Sequence, residues 1–140
     1  MIIVDTNVIL EFTQPHTSEW VVKWLRHQEA SELHTTTITE AELRVAYWLM
    51  PEGQRKADLA RETEIMLKLF GRRILPFDRA AAREFPSVVV QRRANGQDTK
   101  EADGLIAAIA RAHGASVATR NAKDFTNCGV DVIDPWSAES

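Results

Sequence analysis

Four acidic residues stand where an ordinary fold has little use for charge. Asp5 follows the apolar run Ile2-Ile3-Val4, and Asp103 lies inside the apolar stretch 102–110. Glu42 sits early in a helical pattern that follows Leu33-His34-Thr35-Thr36-Thr37, and Asp124 falls in a polar loop shortly after Asn121. Carboxylates set against apolar surroundings are costly unless they are paired or bind a cation. Several that converge cannot all stay ionised without cations. Oxygen donors without thiolates or paired imidazoles suit Mg²⁺, with Mn²⁺ as a substitute. Such ions promote phosphodiester hydrolysis by neutralising phosphoryl charge and by lowering the pKa of the attacking water, so no serine or histidine nucleophile is required. His16, His27, His34 and His113 show no metal-ligand spacing, and His113 suits a helix C-terminus. Each acid also has a plainer use. Asp5 would hold a turn, Thr39-x-x-Glu42 matches a capping box, Asp103 would be satisfied by a buried arginine, and Asp124 would be a loop residue. Asp78 and Asp134 read as cap or turn residues.

The elements that must position these acids follow from periodicity. Ile2-Ile3-Val4 reads as a short buried strand. A helix is predicted over 18–29, with Trp20, Val21, Trp24 and Leu25 on one face. A β-branched strand over 33–37 leads into a helix opening at Thr39, whose apolar stripe is Ala41, Val45, Trp48 and Leu49 and which Pro51 stops. Residues 54–70 form an amphipathic helix with Gly71 as its C-cap. Ile74 to Phe77 is extended, and Asp78 caps a helix to about Ala94 that Pro86 should kink or split. After the Asn95-Gly96 turn, Asp98 or Thr99 caps a helix that Gly114 ends. Strands over 117–119 and 130–133 complete the chain. This alternation predicts an α/β fold, with a short, mostly parallel sheet between two helical layers and a single domain over 1–140. Sites in such sheets form beyond the carboxyl ends of the strands, so Asp5, Glu42, Asp103 and Asp124 are expected at one edge.

Composition narrows the class. Apolar residues are 44% and charged residues 26% of 140, ordinary for a globular domain. No apolar run reaches bilayer-spanning length, and the absence of a basic, apolar leader makes the cytoplasm the expected compartment. The single Cys128 rules out an internal disulfide or a multi-cysteine zinc site and reads as a small residue near a turn. A net charge of −3 argues against a basic nucleic-acid coat. It leaves room for a nuclease whose carboxylates are offset by cations. Arg92, Arg93, Arg120 and Lys123 are the basic residues expected to hold phosphates.

The ordered segments Ile2-Ile3-Val4-Asp5-Thr6-Asn7, Ile38-Thr39-Glu40-Ala41-Glu42-Leu43, 102–108 and Ala118-Thr119-Arg120-Asn121-Ala122-Lys123-Asp124-Phe125 together resemble the signatures of PIN-domain proteins. The closing Val132-Ile133-Asp134-Pro135-Trp136 is similar to the tail of that group. The resemblance spans the whole chain and points to the VapC/FitB-type toxins of toxin–antitoxin pairs. It implies a Mg²⁺-dependent ribonuclease that leaves 5′-phosphate and 3′-hydroxyl ends. It implies a homodimer held inactive by a small antitoxin that also binds operator DNA. Carried over, Asp5, Glu42 and Asp103 are the acidic site residues, with Asp5 and Asp103 as direct metal ligands and Thr6, Asn7 and Thr119 in support. Where many members carry an acid, this chain has Asn121. Asp124 is given the fourth acidic role and a place among the metal ligands, with Asn121 as a supporting oxygen donor.

Two other readings stand beside this one. Asp5 would serve as a phosphoryl-accepting nucleophile in a haloacid-dehalogenase-like phosphatase or receiver domain, although Asn7 occupies the place of the second acid such phosphatases use. Alternatively the chain is a non-catalytic interaction module. Of Trp20, Trp24, Trp48 and Trp136, most are expected in the core and at least one of Trp20 and Trp24 at an interface.

Overall fold

The computed structural model describes residues 1–137; the last residues of the domain expected over 1–140 lie outside them. Five strands, β1 (Ile2–Val4), β2 (Leu33–Thr36), β3 (Ile74–Leu75), β4 (Ser116–Ala118) and β5 (Val132–Ile133), form one sheet in the order β3-β2-β1-β4-β5. Every pairing is parallel, which sharpens the expected mostly parallel sheet. The helices are α1 (Thr6–Glu11), α2 (Glu19–Arg26), α3 (Thr37–Trp48), α4 (Gln54–Phe70), α5 (Arg79–Ala94) and α6 (Glu101–His113).

The period of two along a strand explains the three layers. In β1, Ile3 enters a core with Val88, Ile106, Ile109 and Phe125, beneath α5 and α6. Its neighbour Val4 enters the opposite core with Val8, Trp24, Leu43 and Leu67, beneath α1 to α4. Val117 and Ala118 divide in the same way. Both faces of the central strands are therefore covered, and β1 reads as a continuous apolar run.

Several local expectations are corrected. α1, which no periodicity marked, starts directly at Thr6 with Asp5 as its N-cap. α3 begins a turn before Thr39: its N-cap is Thr36, whose hydroxyl accepts from the Thr39 N–H at 3.1 Å. Glu42 is thus not the third residue of that helix, and the capping box is absent. We expect Thr36→Val to cost about 1–2 kcal/mol and Glu42→Gln to leave the melting temperature nearly unchanged. Equal losses in thermal melts of the two variants would restore the capping-box reading. α5 is one helix that includes Pro86, so Pro86 does not split it, and the N-cap of α6 is Lys100, not Asp98 or Thr99. The apolar stripe assigned to α3 faces outward. Val45 is 54%, Trp48 69% and Leu49 80% exposed, while Thr39 and Leu43 face the core. Trp24 is buried but Trp20 and Trp48 are not, against the expectation that most tryptophans fill the core.

Candidate active site

The chain runs from β1 outward to β2 and β3, then returns to place β4 on the other side of β1. That reversal opens a crevice between the carboxyl ends of β1 and β4, where ligands of open α/β sheets bind. Asp5 and Thr119 are the first residues past those two strands. The Asp5 N–H donates to the Ala118 carbonyl at 2.9 Å, which continues the ladder to the rim.

Asp5 is 4% exposed. Its Oδ1 accepts from the Thr6 N–H at 2.8 Å, and its Oδ2 accepts from the Thr119 hydroxyl at 2.9 Å and from Asn7 Nδ2 at 3.1 Å. Burial raises its pKa despite these three donors, and the nearby charge of Asp124 raises it further. Thr119 is itself saturated, since its oxygen also accepts from Asn7 Nδ2 at 3.3 Å and from the Asn121 N–H at 3.1 Å. Asn7 Oδ1 accepts from the Arg120 N–H at 2.9 Å. Asn7 therefore ties α1 to the loop after β4.

Glu42 reaches the same rim from α3. Its Oε1 accepts from the Thr6 hydroxyl at 2.7 Å, with the Thr39 hydroxyl 3.2 Å from Thr6. Loss of solvent around the carboxyl raises its pKa, and the charge of Asp5 adds to this. Asp103 comes from the first turn of α6 and makes no hydrogen bond or ion pair among the described residues, so the arginine partner considered for it is absent. Its pKa is pushed up to about 6, first by burial and then by Asp5, Asp124 and Glu42, with Lys100 opposing. Asp124 Oδ2 lies 3.2 Å from Lys100 Nζ. Thus the four acids predicted from sequence feel one another across one rim, although they come from four separate segments. Lys100 was not singled out from sequence. Its signal was its place one turn before Asp103, where a cation meets the same face.

Of the other residues named from sequence, Asn121 bonds Thr119 through its backbone, and its side chain makes no hydrogen bond among the described residues. Arg120 stacks its guanidinium 5.1 Å from the Trp136 ring centre, beside Asn7. Lys123 and Arg93 are exposed. Arg92 is a correction: it is 4% exposed and spends its guanidinium on the carbonyls of Asp98, Thr126 and Lys123 at 2.8, 2.8 and 3.3 Å. It cannot hold phosphate. Cys128 is buried, and burial pushes its thiol pKa up, as expected for an inert residue.

The donor set fits a small hard divalent cation. It consists of carboxylates and amide oxygen without sulfur or imidazole, and three of its acids are held above their usual range by burial and by one another. Among the described residues no three acids close into a ready cage.

The family model described as the PIN domain matches residues 2–129. The chain is a PIN-domain protein. It is 40% identical over 138 residues to a VapC ribonuclease of Sinorhizobium fredii, covering 97% of this chain and 98% of that protein. It is 39% identical over 137 residues to the toxin FitB of Neisseria gonorrhoeae, covering 97% and 99%. The FitAB complex bound to a DNA fragment contains a chain of the same fold, with a TM-score of 0.93 and 38% identity over 100% of this chain and 99% of that one. The acids of this PIN-domain chain lie at the crevice between the carboxyl ends of β1 and β4.

Proposed function

We propose that this protein is the toxin of a toxin–antitoxin pair and hydrolyses RNA phosphodiesters with Mg²⁺, for which Mn²⁺ can substitute. The observation that carries this reading is the set of mutually repelling carboxylates at the β1–β4 crevice, with Lys100 opposing them in charge. When bound there, the cation would neutralise phosphoryl charge and make water a competent nucleophile at neutral pH. Asp5 and Asp103 would be its direct ligands, joined by Asp124. Thr119 and Asn7 hold the Asp5 carboxylate in one orientation, and Thr6 does the same for Glu42. Arg120, Lys123 and Arg93 are the exposed cations proposed to meet the RNA backbone.

Two uncovered apolar surfaces support the proposed partners. A groove of about 460 Å³ lined by Val8, Ile9, Phe12, Leu25, Met66 and Phe70 suits an amphipathic antitoxin segment. The exposed stripe Val45, Trp48 and Leu49 on α3 suits a second copy of the chain. Among the described residues no helix is long and apolar enough to cross a membrane.

The test is cleavage of total cellular RNA by the antitoxin-free protein in Mg²⁺ and in EDTA. We expect cleavage in Mg²⁺ only, leaving 5′-phosphate and 3′-hydroxyl ends, and a melting temperature that rises on addition of Mg²⁺. Cleavage that survives EDTA, or ends with a cyclic phosphate, would reject metal-assisted hydrolysis.

A further inference from the structure

A second cavity opens beside the acids, with a volume of about 520 Å³. Its walls include Asn7, Glu11, Gln14, His16, Arg120 and Trp136. Asn7 is the partition: its Nδ2 bonds Asp5 Oδ2, and its Oδ1 holds the Arg120 N–H. One side chain therefore separates the cavity from the crevice. Trp136 stands in the closing segment just past β5, with its backbone N–H donating to Asp134 Oδ1 at 2.9 Å and its ring beneath the Arg120 guanidinium. Gln14 and His16 are exposed, and their side chains make no hydrogen bond among the described residues. Glu11 accepts from the Ser18 N–H at 2.9 Å.

We propose that this cavity is a subsite for one unstacked base of single-stranded RNA, next to the phosphodiester held at the acids. The proposal rests on the nuclease reading above. The Arg120 guanidinium, backed by the Trp136 indole that packs against the core, forms a flat face on which any base can stack. Gln14 and His16 offer donors and acceptors to the edge of that base. Glu11 adds a negative charge to the wall, so the cavity suits a neutral base better than a second phosphate. A base locked in a helix cannot enter, which selects single-stranded or looped RNA.

The test uses the cleavage-silent Asp103→Asn protein in Mg²⁺ and fluorescence anisotropy with short homopolymeric RNAs, each also made with abasic residues. Adding Trp136→Ala should weaken binding of the intact RNAs by roughly 5- to 100-fold, the range lost when a base–aromatic stack is truncated. Binding of the abasic RNAs should not change, and Trp136→Phe should recover most of the affinity. If Trp136→Ala fails to melt cooperatively, Gln14→Ala with His16→Ala provides the same comparison on exposed side chains. Equal weakening for intact and abasic RNA, no weakening, or loss confined to binding of a protein partner overturns the subsite. If the parent cleaves RNA and the loss is not base-dependent, only the subsite fails. If the parent neither cleaves nor binds RNA, the nuclease reading fails and the subsite with it.

Discussion

Replacing Asp103 by asparagine will remove RNA cleavage while making the metal-free protein more stable above about pH 6. Cleavage should fall by ~10²-fold or more, the scale lost when a preorganised charge-stabilising group is deleted. The gain in stability follows from the same carboxylate. Asp103 accepts no hydrogen bond among the described residues, and its pKa lies at about 6 against an ordinary 3.8. A group that holds its proton more tightly folded than unfolded favours the folded state at low pH. Its ionisation therefore costs stability as pH rises from 3.8 to about 6, and the cost is complete above that. Asparagine keeps the shape and removes the charge. In EDTA, the melting temperature of Asp103→Asn minus that of the parent should grow across this window. The gain should be on the order of 1 kcal/mol once solvent screening at this half-buried site is allowed for. In Mg²⁺ the difference should shrink or reverse. A variant less stable than the parent in EDTA at neutral pH would mean that Asp103 is a structural residue.

Arg92→Ala is expected to lower stability by about 3–5 kcal/mol, or roughly 10 °C in melting temperature. The side chain gathers three backbone carbonyls from the approaches to α6 and from the loop after β4. Hydrogen bonds from a charged donor contribute ~1.5–3 kcal/mol each, and truncation strands buried acceptors. Arg92→Lys should not rescue it, because a single ammonium lacks the fork that reaches all three. Arg93→Ala, one residue on and exposed, should melt with the parent. If both variants melt alike and both lose RNA affinity, Arg92 belongs to the RNA surface after all.

These two residues show what was readable in the chain. Asp5 and Asp103 announce themselves because a carboxylate next to three β-formers, or within a helix face of alanine and isoleucine, violates local consistency, and such violations gather at functional sites. The parallel sheet was equally legible, because strands dry on both faces cannot alternate in polarity. The role of Arg92 was not legible. Nothing in Arg92-Arg93 distinguishes the arginine that turns inward from the one that stays out, since its partners are carbonyls that every residue carries. The capping box considered as the plainer use of Glu42 fails for a local reason. Thr36 and Thr39 are both competent caps one turn apart, and only the end of β2 decides between them. The stripe on α3 failed differently, for helical spacing identifies an apolar face but not what covers it.

Of the crevice acids, Asp5 is anchored directly to the middle of the sheet. The Asp5 amide is bonded to β4 and the Thr119 amide to β5, both at 2.9 Å, with β1 in the middle of the sheet. Such protons are expected to exchange with solvent only when the whole domain opens, which native-state hydrogen exchange would read. Under the toxin reading proposed above, a silencing antitoxin has little to gain by deforming the crevice and would instead stand in front of it. Once such a partner leaves, the crevice is already assembled, and full activity should return without a refolding lag.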